Sequence, residues 1–466
     1  YLIPAVSRRF TDPPDPIPVP MALQALWVER LLWVFMLSFA FDYLAGESRE
    51  SGGGAGIDQL LFLALCVSSS MGILALGWRY LTVRPGVWLI LLWSGYLAYM
   101  LINSIAQDVS LGRSLRVIMP FGFCLFGLIN AHIAGCMGIR PSRIVLPVFA
   151  VACFNIPWRI FQGLFIQHLD LETVRFEIQS PGSNWLATFI PCALLLRGRF
   201  HWSLLIACAA LFFGIFITVS RSMLFPVFAS CVAAGICFLL GVKWHLYEWR
   251  SLGRRLFPVV IAGFFMLLIV GFAAVALPNV LQRWTDRLFY AKDSRNTTVD
   301  VSYLTRKAEA DDIWKSLLED PVHFINGKGV GASYNWDLAY MPEINMVIPS
   351  KEPLGTDMWF AGHSTWTYAL FSGGFIGGIS ILSFLIGIMV VSLKAAKANA
   401  SDPGPDQWLA FLPFIVIFSM LSETFTSNPM HERLSGMMFG IMAGLSQSFF
   451  VRASWIHVRS ASPPRP

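Results

Sequence analysis

An all-α fold that crosses a membrane many times is what this sequence predicts, on three observations. Charged side chains make up only 13% of its 466 residues and hydrophobic ones 56%, against roughly a quarter charged in a soluble domain. Apolar stretches of about 18 residues or more, each long enough for a hydrocarbon core about 30 Å thick, recur along the chain. A backbone exposed to lipid has to satisfy its own hydrogen bonds, so these stretches are expected as helices. The basic residues behind the net charge of +6 fall mostly in short connecting segments. Membrane anchoring calls for that distribution, and a nucleic-acid partner is not expected.

Taken in order, the chain opens on a proline-rich tail, 1–25, that lacks the apolar run of a cleavable signal. Residues 26–277 hold apolar stretches near 26–45, 57–77, 86–105, 116–136, 144–161, 184–196, 202–219, 222–241 and 256–277. The sixth is short and is expected to extend upstream. Residues 278–363 are polar and too long for a simple connector. Residues 364–451 hold three more stretches, near 368–393, 408–425 and 434–451, before a tail at 452–466. The total is about 12 spans, and an even number puts both termini on one side.

Lys and Arg in the short loops orient the chain. Arg79, Arg84, Arg140, Arg143, Arg197, Arg199, Lys243, Arg250, Arg254, Arg255, Lys394 and Lys397 outnumber the basic residues of the opposite set. Their side, with both tails, is therefore expected to be cytoplasmic, and 278–363 forms one large loop outside. Within it, "TRKAEADDIWKSLLEDP" (305–321) sets Ile313, Trp314, Leu317 and Leu318 at helical spacing. That predicts an amphipathic helix lying against the bundle and closed by Pro321. "NGKGVG" (326–331) reads as a turn, since it lacks the Walker pattern.

Arginines on the outer face oppose the positive-inside bias, which raises the question of what they bind. Arg221 sits in "TVSRSMLF" (218–225), the tightest outer turn, and Arg159, Arg175, Arg306 and Arg433 share its side. A guanidinium grips phosphate oxygens in a planar fork and stays charged, so an anionic lipid diphosphate suits it. The same side chain also snorkels to headgroups or pairs with carboxylates; the two-residue, serine-flanked turn sets Arg221 apart. His363 stands at the start of a span on this face, in "AGHSTWTYALFSGGFIGG" (361–378). An imidazole there suits general-base work on a hydroxyl at the membrane surface.

Other signals are weaker. Glu309 and Asp312 lie one helical turn apart, as in a metal site, but a solvated amphipathic face explains them as well and no DxD accompanies them in this loop. The pairs Gly373/Gly377 and Gly374/Gly378 favour close helix packing. The eight cysteines lie in or beside apolar runs without a CxxC, which indicates neither a disulfide framework nor a zinc site.

In these residues the sequence resembles the O-antigen ligase and polymerase superfamily. "SRSMLF" (220–225) is similar to its S-R-[GS]-x-[LM] signature. "RKAEADDIWKSLLEDPVHFINGKGVG" (306–331) resembles its R…W…P…G-x-G loop segment. "HSTWTYALFSGGFIGG" (363–378) resembles its histidine-led start of the following span, and "RFEIQSPGSNWLA" (175–187) a further stretch of the same kind. The four occur in the family's order across 173–380. The resemblance implies a GT-C-like O-antigen ligase in a bacterial inner membrane, with its active site periplasmic. Such an enzyme moves a polysaccharide from an undecaprenyl-diphosphate-linked donor to a sugar hydroxyl of lipid A–core, without a cofactor or an obligatory metal. It implies His363 as the catalytic group and Arg221, with Arg175 and a loop arginine (Arg306 or Arg295), on the donor diphosphate. Asn184, Ser220 and Ser364 become expected substrate contacts.

An O-antigen polymerase and a protein O-oligosaccharyltransferase share this donor. The first often carries an R-x10-G motif in two large loops, which neither candidate loop contains. A lipid-linked sugar flippase would need polar residues along a path through the midplane, whereas nearly all charges here sit at span ends.

Overall fold

The computed structural model describes residues 22–41, 57–81, 87–166, 168, 180–198, 201–218, 223–289, 301–340, 342, 362–401, 404, 406–425 and 427–461. Among them every regular element is a helix. In chain order these are α1 (Ala22–Ser38), α2 (Ile57–Gly77), α3 (Trp88–Ala106), α4 (Leu111–Cys136), α5 (Pro141–Phe161), α6 (Pro181–Cys192), α7 (Trp202–Thr218) and α8 (Leu224–Lys243). There follow α9 (Leu252–Ala276), α10 (Pro278–Phe289), α11 (Val301–Leu318), α12 (Pro321–Asn326), α13 (Thr365–Ala398), α14 (Leu412–Thr424) and α15 (Arg433–Ala461). Nine helices among the described residues are long and apolar enough to cross a membrane, so the chain is an all-α, multi-pass membrane protein. The predicted stretches at 26–45, 184–196 and 202–219 are helical too, as α1, α6 and α7, but shorter.

The centre of the bundle is the pair α4 and α15, packed backbone to backbone. A Cβ placed on Gly440 would lie 1.9 Å from the Cys124 carbonyl oxygen, on Gly436 2.3 Å from that of Pro120, and on Gly444 2.3 Å from that of Leu128. The small-xxx-small motif that lets two helices touch is therefore Gly436/Gly440/Gly444 on α15. Around this pair, Trp93 of α3 donates its indole N–H to the Phe121 carbonyl at 3.0 Å and stacks on Phe384 of α13 at 4.2 Å. Those contacts lock α3, α4 and α13 together.

The glycines of "FSGGFIGG" give the close helix packing expected of them at Gly373, where a Cβ would lie 2.8 Å from Met100 Sδ of α3, and they also do something further. Gly374 has φ +61 and breaks α13 within its 34 residues. Into the break fits the 326–331 loop, whose own glycines 327, 329 and 331 also have positive φ. The Lys328 and Gly329 amides donate to the carbonyls of Phe371 (2.7 Å) and Ser372 (3.0 Å). The α3 side chains complete the seat: Asn103 and Tyr99 donate to the Asn326 carbonyl at 2.7 and 3.2 Å, and Ser104 accepts from the Val330 amide at 2.8 Å. A Cβ on Gly327 would stand 2.5 Å from the Gly374 amide nitrogen, and one on Gly374 2.2 Å from the Ile325 carbonyl oxygen. Only glycine permits both the left-handed backbone and this approach. "GKGVG" is thus a docked loop that fixes α11 and α12 against the bundle.

Candidate active site

The site begins with α11. Its buried residues are Leu304, Thr305, Ala308, Glu309, Ile313 and Leu317, while Trp314 and Leu318 are exposed. The inward stripe is narrower than the sequence predicts and rotated, because Ile313 and Leu317 stand at i+4 and i+8 from Glu309 and carry it inward. Burying each of those two aliphatic side chains is worth about 1.5–3 kcal/mol, which sets the roll of the helix. The expectation of a solvated face for Glu309 is therefore corrected: its carboxylate is 2% exposed.

A buried carboxylate needs donors, and His363 supplies two. Its backbone N–H donates to Glu309 Oε1 at 2.8 Å, and its Nδ1 lies in close contact with Glu309 Oε2. Gripping backbone and ring together leaves the imidazole little freedom to turn. The His363 side chain is 40% exposed, so the ring is reachable from outside while its orienting carboxylate is not. Trp336 flanks it with ring centroids 6.2 Å apart.

The 334–340 segment wraps over α11 and closes the site. The Asp337 amide donates to the Ala308 carbonyl at 3.0 Å, and Tyr340 donates its hydroxyl to Asp311 at 2.6 Å. Lys315 pairs with Asp337. The Lys315 ammonium and the Ala339 amide hold the Asp337 carboxyl below the usual carboxylate range, whereas burial pushes Asp312 up. Burial, and then the Glu309 charge beside it, pushes the Tyr334 phenol up.

Below His363 the start of α13 is tied to the α14–α15 turn. Ser364, in extended backbone (φ −118, ψ 135), is the N-cap of α13, and its hydroxyl donates to the Thr424 carbonyl at 3.2 Å. Thr365 donates its amide to the Ser427 carbonyl at 3.2 Å, and Trp366 its indole N–H to the Thr424 hydroxyl at 2.9 Å. Next to Thr424, Glu423 of α14 accepts from Asn184 of α6 at 2.7 Å, both buried, and from the hydroxyl of the half-buried Ser427 at 3.1 Å. Ser364, the chain neighbour of His363, thus bonds Thr424, the chain neighbour of the Glu423 that holds Asn184.

The structure therefore places His363 on Glu309, Ser364 on the Thr424 carbonyl at the end of α14, and Asn184 on the neighbouring Glu423. Arg306 lies on α11 one turn before Glu309, with an exposed side chain. Arg175, Ser220, Arg221 and Arg295 lie outside the described residues. Glu309 and Glu423 are the side chains that sequence reading undervalued. For Glu309 a signal existed, the 309–313–317 register; for Glu423 the signal was a carboxylate within an apolar run. No protein-family model matches the chain, and no curated protein matches it in sequence.

Proposed function

We propose that the chain is a glycosyltransferase of the O-antigen ligase kind, with about 12 spans, a GT-C-like architecture, cytoplasmic termini and a periplasmic active site in a bacterial inner membrane. The observation that carries this reading is the Glu309–His363 pair: a reachable imidazole, oriented by a hidden carboxylate, at the start of a membrane helix. With Nδ1–H donated to Glu309, the lone pair of the ring belongs to Nε2, the nitrogen a general base uses.

In the proposed reaction a sugar hydroxyl of lipid A–core attacks the anomeric carbon of the undecaprenyl-diphosphate-linked glycan. The hydroxyl proton passes to His363 Nε2, the new C–O bond forms, and the bond from the anomeric carbon to the diphosphate oxygen breaks. Undecaprenyl diphosphate leaves with the bonding electrons, and one displacement inverts the anomeric centre. Arg221, Arg175 and a loop arginine, Arg306 or Arg295, hold the departing diphosphate, where stabilising growing charge is usually the largest catalytic effect. The linkage in the donor supplies the driving force, so no cofactor is called for.

The test is an assay of the purified chain with lipid A–core and undecaprenyl-diphosphate-linked glycan. Ladder-like product on lipid A–core supports the reading. Lengthening of the donor alone points to a polymerase, transfer to Ser or Thr of a protein to an oligosaccharyltransferase, and each sinks it. So does full activity in His363→Ala.

A further inference from the structure

The corner between α11 and α12 carries an apolar surface that no element among the described residues covers. Leu318 is 69% exposed, Val322 52%, Ile325 50% and Phe324 39%. Water would penalise such a cluster on a segment this short. Asp320 caps α12 by accepting from the Val322 amide at 2.8 Å, so the turn is locally built rather than frayed.

What lies beside the cluster identifies its surroundings. The Phe324 ring is parallel to that of Phe375 on α13 (interplanar angle 12°), with centroids 6.4 Å apart. Phe375, Ile376 and Ile379 of α13 and Ile102 and Ile105 of α3 are themselves exposed, on helices long and apolar enough to span the membrane. Hydrogen bonds from Asn103 and Tyr99 to the Asn326 carbonyl hold α12 against α3. The polar side of the corner turns elsewhere, with His323 Nε2 3.3 Å from Gln107 Oε1 just past the end of α3. The apolar side of α12 therefore continues the lipid-facing rows of two spanning helices, and the polar side sits level with their end.

We infer that the α11–α12 corner is a lipid-contact site: Leu318, Val322, Phe324 and Ile325 lie among the acyl chains of the leaflet at the His363 end of the bundle. An apolar face seated at the acyl boundary with polar groups at the headgroup level is the arrangement of interfacial segments. The corner then acts as a float. It sets the depth of α11, and hence of Glu309, independently of which reaction the site performs.

The experiment places p-benzoyl-phenylalanine at Phe324 and, separately, at Ile325 in the full chain. Each protein is reconstituted in nanodiscs of phosphatidylethanolamine and phosphatidylglycerol, irradiated, and weighed by intact mass spectrometry. Phe375 on the span and the exposed, polar Asn335 serve as reference positions. The expected result is lipid adduct at 324 and 325 in yield like that at 375 and roughly tenfold above that at 335. Yields at 324 and 325 no higher than at 335 overturn the inference, and so does a cross-linked dimer in place of lipid adducts, which would mean that a second copy covers the corner. The aromatic-for-aromatic exchange at Phe324 keeps the test valid even if the probe at Ile325 impairs folding. Because the readout is mass and not turnover, it is separate from the glycosyl-transfer reading.

Discussion

Glu309→Gln is the perturbation that tests the site most sharply. Glutamine keeps the shape of the side chain but replaces one acceptor oxygen with an NH2 donor. Two donors of His363, the backbone N–H and Nδ1, point at the two carboxylate oxygens, so one of them must then face another donor. The ring has to turn or move its proton to Nε2, and either removes the lone pair a base needs. Loss of one hydrogen bond to a charged group costs about 1.5–3 kcal/mol, and at about 1.36 kcal/mol per decade this corresponds to roughly 10–150-fold in rate. On the proposed reading, in which the pair orients a base and does not hold the lipid, the loss is expected in kcat, with KM for the donor unchanged. The assay is steady-state transfer to lipid A–core for wild type, Glu309→Gln, His363→Ala and the double variant. If Glu309 works through His363, it costs nothing further once His363 is alanine. An equal cost of Glu309→Gln in both backgrounds would refute the orienting role and leave the carboxylate a structural brace.

Further outcomes follow from the packing and the polar contacts. Gly440→Ala puts a Cβ 1.9 Å from the Cys124 carbonyl oxygen and should destabilise the α4–α15 pair by about 1–3 kcal/mol, read as a lower Tm in nanodiscs. Asn184→Ala takes a 2.7 Å donor from buried Glu423 and should cost about 1–3 kcal/mol; Asn184→Asp, which sets two carboxylates together, should cost more in the same melting assay. The Asp337 carboxyl is held below its unfolded value by Lys315 and the Ala339 amide. Its stabilising contribution is therefore present above about pH 4 and is lost as pH falls through the folded value. Asp312, raised by burial, has the opposite sign, so its favourable contribution lies at low pH and fades as pH rises. The hydrogen-exchange protection factors of 334–340, taken relative to the intrinsic rate at each pH, should fall on acidification, and Asp337→Asn should abolish that dependence while Asp312→Asn should not. The exposed partner Lys315 keeps the effect small.

The membrane class was legible from composition, because a run of apolar side chains has few other uses than crossing lipid. Helix boundaries were readable to a few residues, as at Ser364, whose N-cap starts α13 just before the predicted 368. What sequence reading missed is tertiary. Glu309 meets a histidine 54 positions away, and no local pattern announces that partner, although Ile313 and Leu317 in its register do announce burial. The reading of the glycines was incomplete for a physical reason, since Gly373 does pack closely on Met100 of α3. Gly373–Gly378 and Gly436–Gly444 carry the same small-residue spacing, yet the first also breaks its helix at a positive φ at Gly374, while the second lets two backbones touch along an unbroken helix. Spacing encodes the absence of a side chain and not what fills the vacated space. Likewise α10 was not foreseen, though Trp284, which donates to the Phe216 carbonyl at 2.9 Å, marks the inward side of a short amphipathic helix.

The loop seated in the break of α13 has a consequence for biogenesis. Its hydrogen bonds reach back to Asn103 and Ser104, more than 220 positions earlier, and forward to Phe371 and Ser372. Half of the receptacle for residues 326–331 is therefore synthesised after the residues that fill it. As α11 leaves the translocation machinery it has no completed berth, and Glu309 has no histidine to meet. The berth closes when α13 has inserted and packed on α3, a contact of high sequence separation that forms late. Maturation of the site is thus a final event of assembly, and a chain stalled before α13 holds its helices in the bilayer without the pair on which the proposed chemistry depends.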